Sequence, residues 1–244
     1  MKLVTEKPFW DVFPEAEIAV IKAFGLKRDS DDDETAYQDL DDLLSDSIER
    51  SRYYLNEENF EDNNAISSWR SAFKKCTVPA DSSPFFELLL KKVSLGKDIT
   101  AAGPLDSVIL STALTGGLPC CGKDIDGLEG TLRLTAAAGG EEFTCAPAFM
   151  DTDDPHSAAL PGEIVYMDDI GIVSRCWNWK ESIRTVPSGT STDILFTVDS
   201  ADHSHRSELE DSAWTLANLI QKYFDGSVDI DYIYSDNREL ELVR

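Results

Sequence analysis

Apolar and polar positions alternate most clearly between residues 162 and 199, GEIVYMDDIGIVSRCWNWKESIRTVPSGTSTDILFTVD. Pro161-Gly162 is a loop signal; residues 163–167 then set Ile164 and Tyr166 on one face against Val165 and Met167 on the other. Residues 170–177 alternate again after the tight turn Asp168-Asp169, so the two runs predict a β-hairpin. Trp177-Asn178-Trp179 and a polar run through Thr185 follow, and after the turn Pro187-Ser188-Gly189 residues 194–198 read as a short apolar strand.

The rest of the chain divides into strand-like and helix-like runs. Residues 16–24 (AEIAVIKAF) predict a first strand behind an aromatic start, Phe9-Trp10 and Phe13, that packs onto the body. The acidic run at 27–34 predicts a solvated linker. Leu40, Leu43, Leu44 and Ile48 fall at helical steps, as do Ile66, Trp69 and Phe73 over 65–75. Ser82-Ser83-Pro84 signals a helix over 85–95, and a further helix over 104–114 is closed by Gly116-Gly117. Residues 118–130 are expected as loop, 130–136 as a strand with 142–146 as its hairpin partner, and 148–160 as a surface insertion. A polar loop over 199–204 leads to the helix 206–224, with Leu209, Ala213, Leu216, Ile220 and Phe224 in one stripe, and to a last strand over 228–234. Separated helices and short antiparallel strands predict an α+β fold, an antiparallel sheet with packed helices. The expected organisation is a single domain over 1–244, with strand, acidic linker and helix over 1–64 and the core over 65–235.

Composition narrows the function. Hydrophobic residues make up 42% of the 244, enough for a core. No apolar run approaches the roughly 20 residues of a membrane-crossing helix, and the first residues lack the apolar centre of a signal peptide, so a cytoplasmic protein with no membrane partner is expected. The cysteines number five, with no C-x-x-C pair, which fits a reducing compartment. The net charge of −24, from 46 acids against 22 bases, opposes a grip on long stretches of RNA unless the basic residues gather on one face. No metal is expected: the acidic run lacks the Gly and terminal Glu of a calcium loop, and His203 and His205 beside Asp202 lack further ligands. No phosphate-binding or dinucleotide-binding glycine pattern points to a cofactor.

The densest mix of aromatic and polar groups is Trp177-Asn178-Trp179 with Arg175, Lys180 and Arg184, the composition of a pocket wall. The same segment resembles the freestanding relatives of the editing domain of the phenylalanyl-tRNA synthetase beta subunit. The likeness rests on the hairpin, the WNW motif with Arg184-Thr185 downstream, and the turn into the apolar strand. It extends upstream through 105–114, Gly117-Leu118-Pro119, the segment DIDGLEG at 124–130 and Gly139-Gly140-Glu141-Glu142-Phe143, and covers roughly 67–234.

That resemblance implies an ester hydrolase that removes tyrosine wrongly attached to the tRNA for phenylalanine, binding the aminoacylated 3′ end without a cofactor. Three departures stand against it. Cys121 occupies the place of a family His, Glu181-Ser182-Ile183 that of a Gly-Gly-Glu segment, and Thr197 that of a family Glu. The residues implied as catalytic are therefore Asn178, Arg184 and Thr185, with Trp177, Trp179, Arg175, Cys121, Asp124 and Glu129 binding substrate. A positive rim from Arg175, Lys180, Arg184, Lys91 and Lys92 is expected around such a site. Structural readings compete: the two Trp as core plugs, Asn178 satisfying a turn, Cys121 as a buried thiol in place of a nucleophile. The alternative function is a non-catalytic module that binds a free amino acid, a related small molecule or a protein partner; a hydrolase for another small ester or amide is a third.

Overall fold

The computed structural model describes residues 1–27, 34–55, 62–80, 82–147 and 156–242; most of the acidic run at 27–34 and most of the stretch 148–160 lie outside them. The fold is α+β, with antiparallel-dominated sheets and packed helices. Strand β2 (Glu17–Phe24) explains the layering. Only Lys22 in it escapes full burial, because both of its faces are covered. Ala19, Ile21 and Ala23 face the helices α2 (Glu34–Ser51), α5 (Pro104–Gly116) and α6 (Arg206–Phe224). Ile18 and Val20 face a second sheet.

The first sheet runs β11-β2-β10-β3, all antiparallel, with β3 (Cys120–Asp124), β10 (Ile194–Ser200) and β11 (Ser227–Ile233). The second runs β12-β1-β4-β7-β8-β9, with β1 (Lys2–Thr5), β4 (Thr131–Ala136), β7 (Ile164–Met167), β8 (Ile172–Arg175), β9 (Lys180–Glu181) and β12 (Glu239–Glu241). Its one parallel pair is β1 with β4. A small hairpin of β5 (Glu142–Thr144) and β6 (His156–Ala158) stands apart. The remaining helices are α1 (Lys7–Val12), α3 (Asn64–Phe73) and α4 (Phe85–Ser94).

The expected hairpin is β7–β8, and its turn is built by Asp168, whose carboxylate accepts from the N–H groups of Ile170 and Gly171, each at 3.0 Å. The helix over 206–224 and the strands at 16–24, 194–198 and 228–234 also form as expected. Three expectations are corrected. Residues 120–124 are strand β3, not loop; the glycine and the buried lysine of Cys-Cys-Gly-Lys-Asp leave neither an apolar run nor an alternation. Residues 142–146 do not pair with 130–136, because β1 and β7 already occupy both edges of β4. Asp199 and Ser200 belong to the buried end of β10, not to a polar loop.

Trp177 joins the two sheets. Cys176 and Trp177 both adopt left-handed backbone, φ 46° and 66°, which bends the chain after β8 and turns the indole inward. Such conformations are unfavourable for bulky residues and persist only where packing holds them. The ring meets Phe9 at 4.8 Å, Phe13 at 5.0 Å and Trp69 at 5.1 Å between centroids, and Trp177 N–H donates to the Ile164 carbonyl at 2.6 Å. Replacing Trp177 by Ala should lower stability by about 3–5 kcal/mol, the range for emptying a large aromatic site. Urea unfolding with an unchanged denaturant slope would measure it, and a loss under 1 kcal/mol, by that same scale, would show that the indole is not the joint.

Candidate functional site

Both sheets end at the same place. β3 is an edge of the first and β9 an edge of the second, and the first turn of α5 lies across the gap. A cavity of about 320 Å³ opens there, with Phe85, Leu105, Ile109, Val186 and Pro187 as its apolar wall. Gly122 keeps the space: a Cβ there would come within 3.1 Å of both Ile109 and Pro187. The lip over 187–191 is tied down from β3, where the Asp124 carboxylate accepts from the Ser191 hydroxyl. Asp124 also accepts from Asp126 N–H at 3.0 Å, capping the turn at 125–127.

The polar end of the cavity is Glu181, 2% exposed. Its Oε2 accepts from Ser174 Oγ at 2.7 Å, while Oε1 has no hydrogen-bond partner and faces Lys123 Nζ at 3.6 Å. Lys123 is fully buried, and its ammonium lies 4.6 Å from the centre of the Tyr166 ring. The pairing of β3 with β10 sets Lys123 opposite Leu195 and Cys121 opposite Thr197, so Asp199 continues the same row on the inter-sheet face. Asp199 accepts from Asn178 Nδ2 at 3.3 Å and, at the 3.5 Å limit, from Tyr166 OH.

Burial governs the titration of this group. It pushes the Asp199 carboxyl up from 3.8 to about 6, against the pull of Lys123, Asn178 and Trp177. For Lys123 burial acts downward, but Glu181, Cys121 and Asp199 outweigh it and hold the ammonium above its ordinary range. The Cys121 thiol is driven well up by burial and by Glu181, so it stays protonated near neutrality. Burial also raises the Asp106 carboxyl, which lines the cavity from the first turn of α5, although Ala102 N–H donates to it at 2.8 Å.

Of the residues singled out in the sequence, Cys121 alone lines this cavity. Trp177 is in the joint described above. Asn178 is buried behind the cavity against Asp199, and Trp179 is buried with the Lys180 ammonium 4.2 Å from its ring. Arg175 is buried and holds Glu163 with two bonds, 2.8 and 2.7 Å, plus Ser157 Oγ at 2.7 Å. Arg184 does grip a carboxylate bidentately, but that of Asp168, at 2.8 and 2.9 Å. Thr185 is fully buried, with its carbonyl accepting from Asp124 N–H. Glu129 is exposed. The expected positive rim does not form from the residues named for it: Arg175, Arg184 and Lys91 are turned to Glu163, Asp168 and Glu87. His203 faces Glu17 at 2.6 Å and is not part of the cavity lining.

Sequence reasoning missed Glu181, Lys123, Asp199 and Asp106. One signal was available: Leu195, Thr197 and Asp199 share a strand face, so an apolar run carried an acid into the core. Among the described residues no group of three His, Cys, Asp or Glu is placed to hold a metal ion, and no helix is long and apolar enough to cross a membrane.

Comparison with protein-family models and with curated proteins finds no match. Among solved structures, the chain is similar to a crystal structure of an N-terminal fragment of the phenylalanyl-tRNA synthetase beta subunit from Pyrococcus horikoshii. The TM-score is 0.44 and the identity 11%, over 93% of this chain and 49% of that one. This chain therefore spans about half the length of that structure. At so low a score the site is read from its own geometry.

The raised Asp199 carboxyl has a consequence for stability. As pH rises from 3.8 toward 6, an unfolded Asp199 releases its proton while the folded one keeps it, so the folded state loses stability across that window. The full loss, present above the folded value, is about 3 kcal/mol at most. Asp199→Asn should therefore stabilise the protein above pH 6 by about 2 kcal/mol and remove this part of the decline below it. Urea unfolding as a function of pH, with the variant compared to wild type, measures the difference; a variant less stable than wild type at every pH would contradict it.

Proposed function

We propose that the cavity receives the aminoacyl group at the 3′ end of a tRNA and that its ester is hydrolysed there by water. One observation carries this reading: the buried Glu181 carboxylate is the polar end of an apolar cavity whose described lining contains no cation, and its Oε1 makes no hydrogen bond, with only Lys123 behind it at 3.6 Å. Glu181 is suited to the ammonium of an aminoacyl group, and the apolar wall to its side chain. A free amino acid would bring its carboxylate against Glu181 and Asp106 with no cation to meet it, whereas esterification removes that charge. The ordered sequence motifs of the editing-domain relatives support the same substrate class.

Hydrolysis needs a donor for the developing oxyanion and a group that takes a proton from water. The first turn of α5 offers backbone N–H groups at the cavity wall, and Asp106 in that turn is a carboxyl with a raised proton affinity. The protonated Cys121 thiol is a poor nucleophile, which favours direct attack by water over a covalent route. Because so many cations on this strongly acidic chain are turned to their own carboxylates, contact with RNA is confined to the terminal nucleotides.

The second reading, a module that binds the aminoacyl group without turnover, is favoured by the lack of any histidine in the described cavity lining. Incubation with tyrosyl-tRNA for phenylalanine separates the two. Hydrolysis predicts release of tyrosine above the buffer rate, lowered at least about tenfold in Glu181→Gln through loss of a charge-assisted contact. Binding alone predicts that L-tyrosine ethyl ester raises the melting temperature, more than free L-tyrosine does, without any release. The absence of both release and stabilisation would overturn the assignment of this cavity to an aminoacyl group.

A further inference from the structure

Glu181 is the only member of the buried charge group that lines the cavity; Lys123 and Asp199 stand behind it, and nothing in an aminoacyl pocket requires them. Their burial is unfavourable. A lysine and two carboxylates between sheets lose hydration that mutual attraction replaces only in part, and an apolar trio would pack as well. The geometry adds a second oddity. Lys123 is not locked to one partner: its Nζ makes no hydrogen bond and sits 3.6 Å from Glu181, over the Tyr166 ring, whose hydroxyl in turn reaches Asp199. One positive charge therefore stands beside Glu181 and acts on Asp199 from across the Tyr166 ring.

We infer that Lys123 is a positioning residue shared between Glu181 and Asp199, and that the charge on Asp199 sets how strongly Glu181 attracts a cation in the cavity. This deepens the reading of the cavity as a site for an ammonium-bearing group and rests on it. When Asp199 is ionised, the group carries one net negative charge, and Glu181 presents it to the cavity. When Asp199 is protonated, Lys123 neutralises Glu181 alone and the attraction weakens. The groups that face Asp199 and Lys123 are few. They are Cys120 and Cys121 on β3, Glu181 on β9, Tyr166 on β7, Asn178 and Trp177 in the bend after β8, and Thr197 on β10 itself. The thiols and the phenol are raised by burial, which leaves Asp199 as the member whose change of charge falls near pH 6. By linkage, a bound cation makes Asp199 release its proton more readily, to the same degree that the ionised Asp199 strengthens the cation's binding.

The test has two arms on the full chain. In the first, without ligand, carboxyl carbon NMR follows Asp199 from about pH 4 to about pH 8, the range over which perturbed carboxyls titrate. Glu181→Gln should lower the titration point of Asp199 and Lys123→Met should raise it, with Lys123→Arg restoring it. Glu181→Gln is the folded-state control should Lys123→Met fail to fold. An Asp199 titration unmoved by Glu181→Gln overturns the inference whatever binds. In the second arm, phenethylamine, an amine that stays charged throughout, is titrated into the protein. In an Asp106→Asn background, which removes the other raised carboxyl of the lining, the protein should bind it about threefold to tenfold more tightly above pH 6 than below it, the effect of one charge in a weakly screened interior, and adding Asp199→Asn should abolish the step. If the step survives that addition, the inference fails while the cavity assignment stands. If wild type binds no phenethylamine at any pH but the carboxyls remain coupled, the sharing of Lys123 stands as a property of the core and its link to a ligand site is overturned, together with the cavity assignment.

Discussion

The Lys123 ammonium lies between two sheets, fully buried, with Glu181 to one side and, along β10, the row Leu195, Thr197 and Asp199. Much of the architecture near the cavity answers to that one charge. Removing it would leave the buried Glu181 carboxylate without its ion-pair partner, a loss of several kcal/mol. Ser174 orients Glu181 from β8, Asn178 holds Asp199 from the bend that follows, and Tyr166 places its ring against the ammonium from β7. Strands β3, β7, β8, β9 and β10 thus each contribute a polar group to the same cluster. A charge group of this kind in a core is weak evidence for stability and better evidence for a site whose electrostatics matter.

The aromatic bend and the charge cluster divide the work of the segment 176–181. Trp177 turns inward and fastens the second sheet to Phe9, Phe13 and Trp69, which fixes where β9 begins. β9 then delivers Glu181 to the cavity. Two residues in left-handed backbone make that change of direction, and the packing of the indole holds them there. The WNW motif thus acts on the cavity through the backbone that it places, and the residue that reaches the cavity is the acid two positions after the motif.

Much of the fold was legible because its elements carry simple periods. The stripe of α6 leaves its polar face exposed, and the apolar runs of β7 and β8 flank a clear turn signal, so pattern and structure agree. β3 was illegible because its five residues include a glycine and a buried lysine, so neither an apolar run nor an alternation survives. β1 and β12 are short and find each other across the whole chain, a pairing that no local pattern announces. The cavity was harder still. Its polar end unites residues from β3, β9 and α5, far apart in sequence, and the aromatic density that drew attention to 175–185 came from core packing and internal ion pairs. Arg184 has the geometry expected of a carboxylate clamp, with the carboxylate supplied by the chain's own Asp168.

The strongly acidic composition fits this arrangement. Cations are drawn into internal pairs, the cavity is left with carboxylates, and the species it favours carries a positive charge on an apolar body. A crystal structure of the protein with a 3′-tyrosylamido-adenosine, in which a stable amide replaces the ester, tests that claim most directly. The account predicts the tyrosyl amine within hydrogen-bond distance of the Glu181 carboxylate and the ring against Phe85, Ile109 and Pro187. An aminoacyl group bound elsewhere on the surface, or in the cavity with its amine turned away from Glu181, would contradict it.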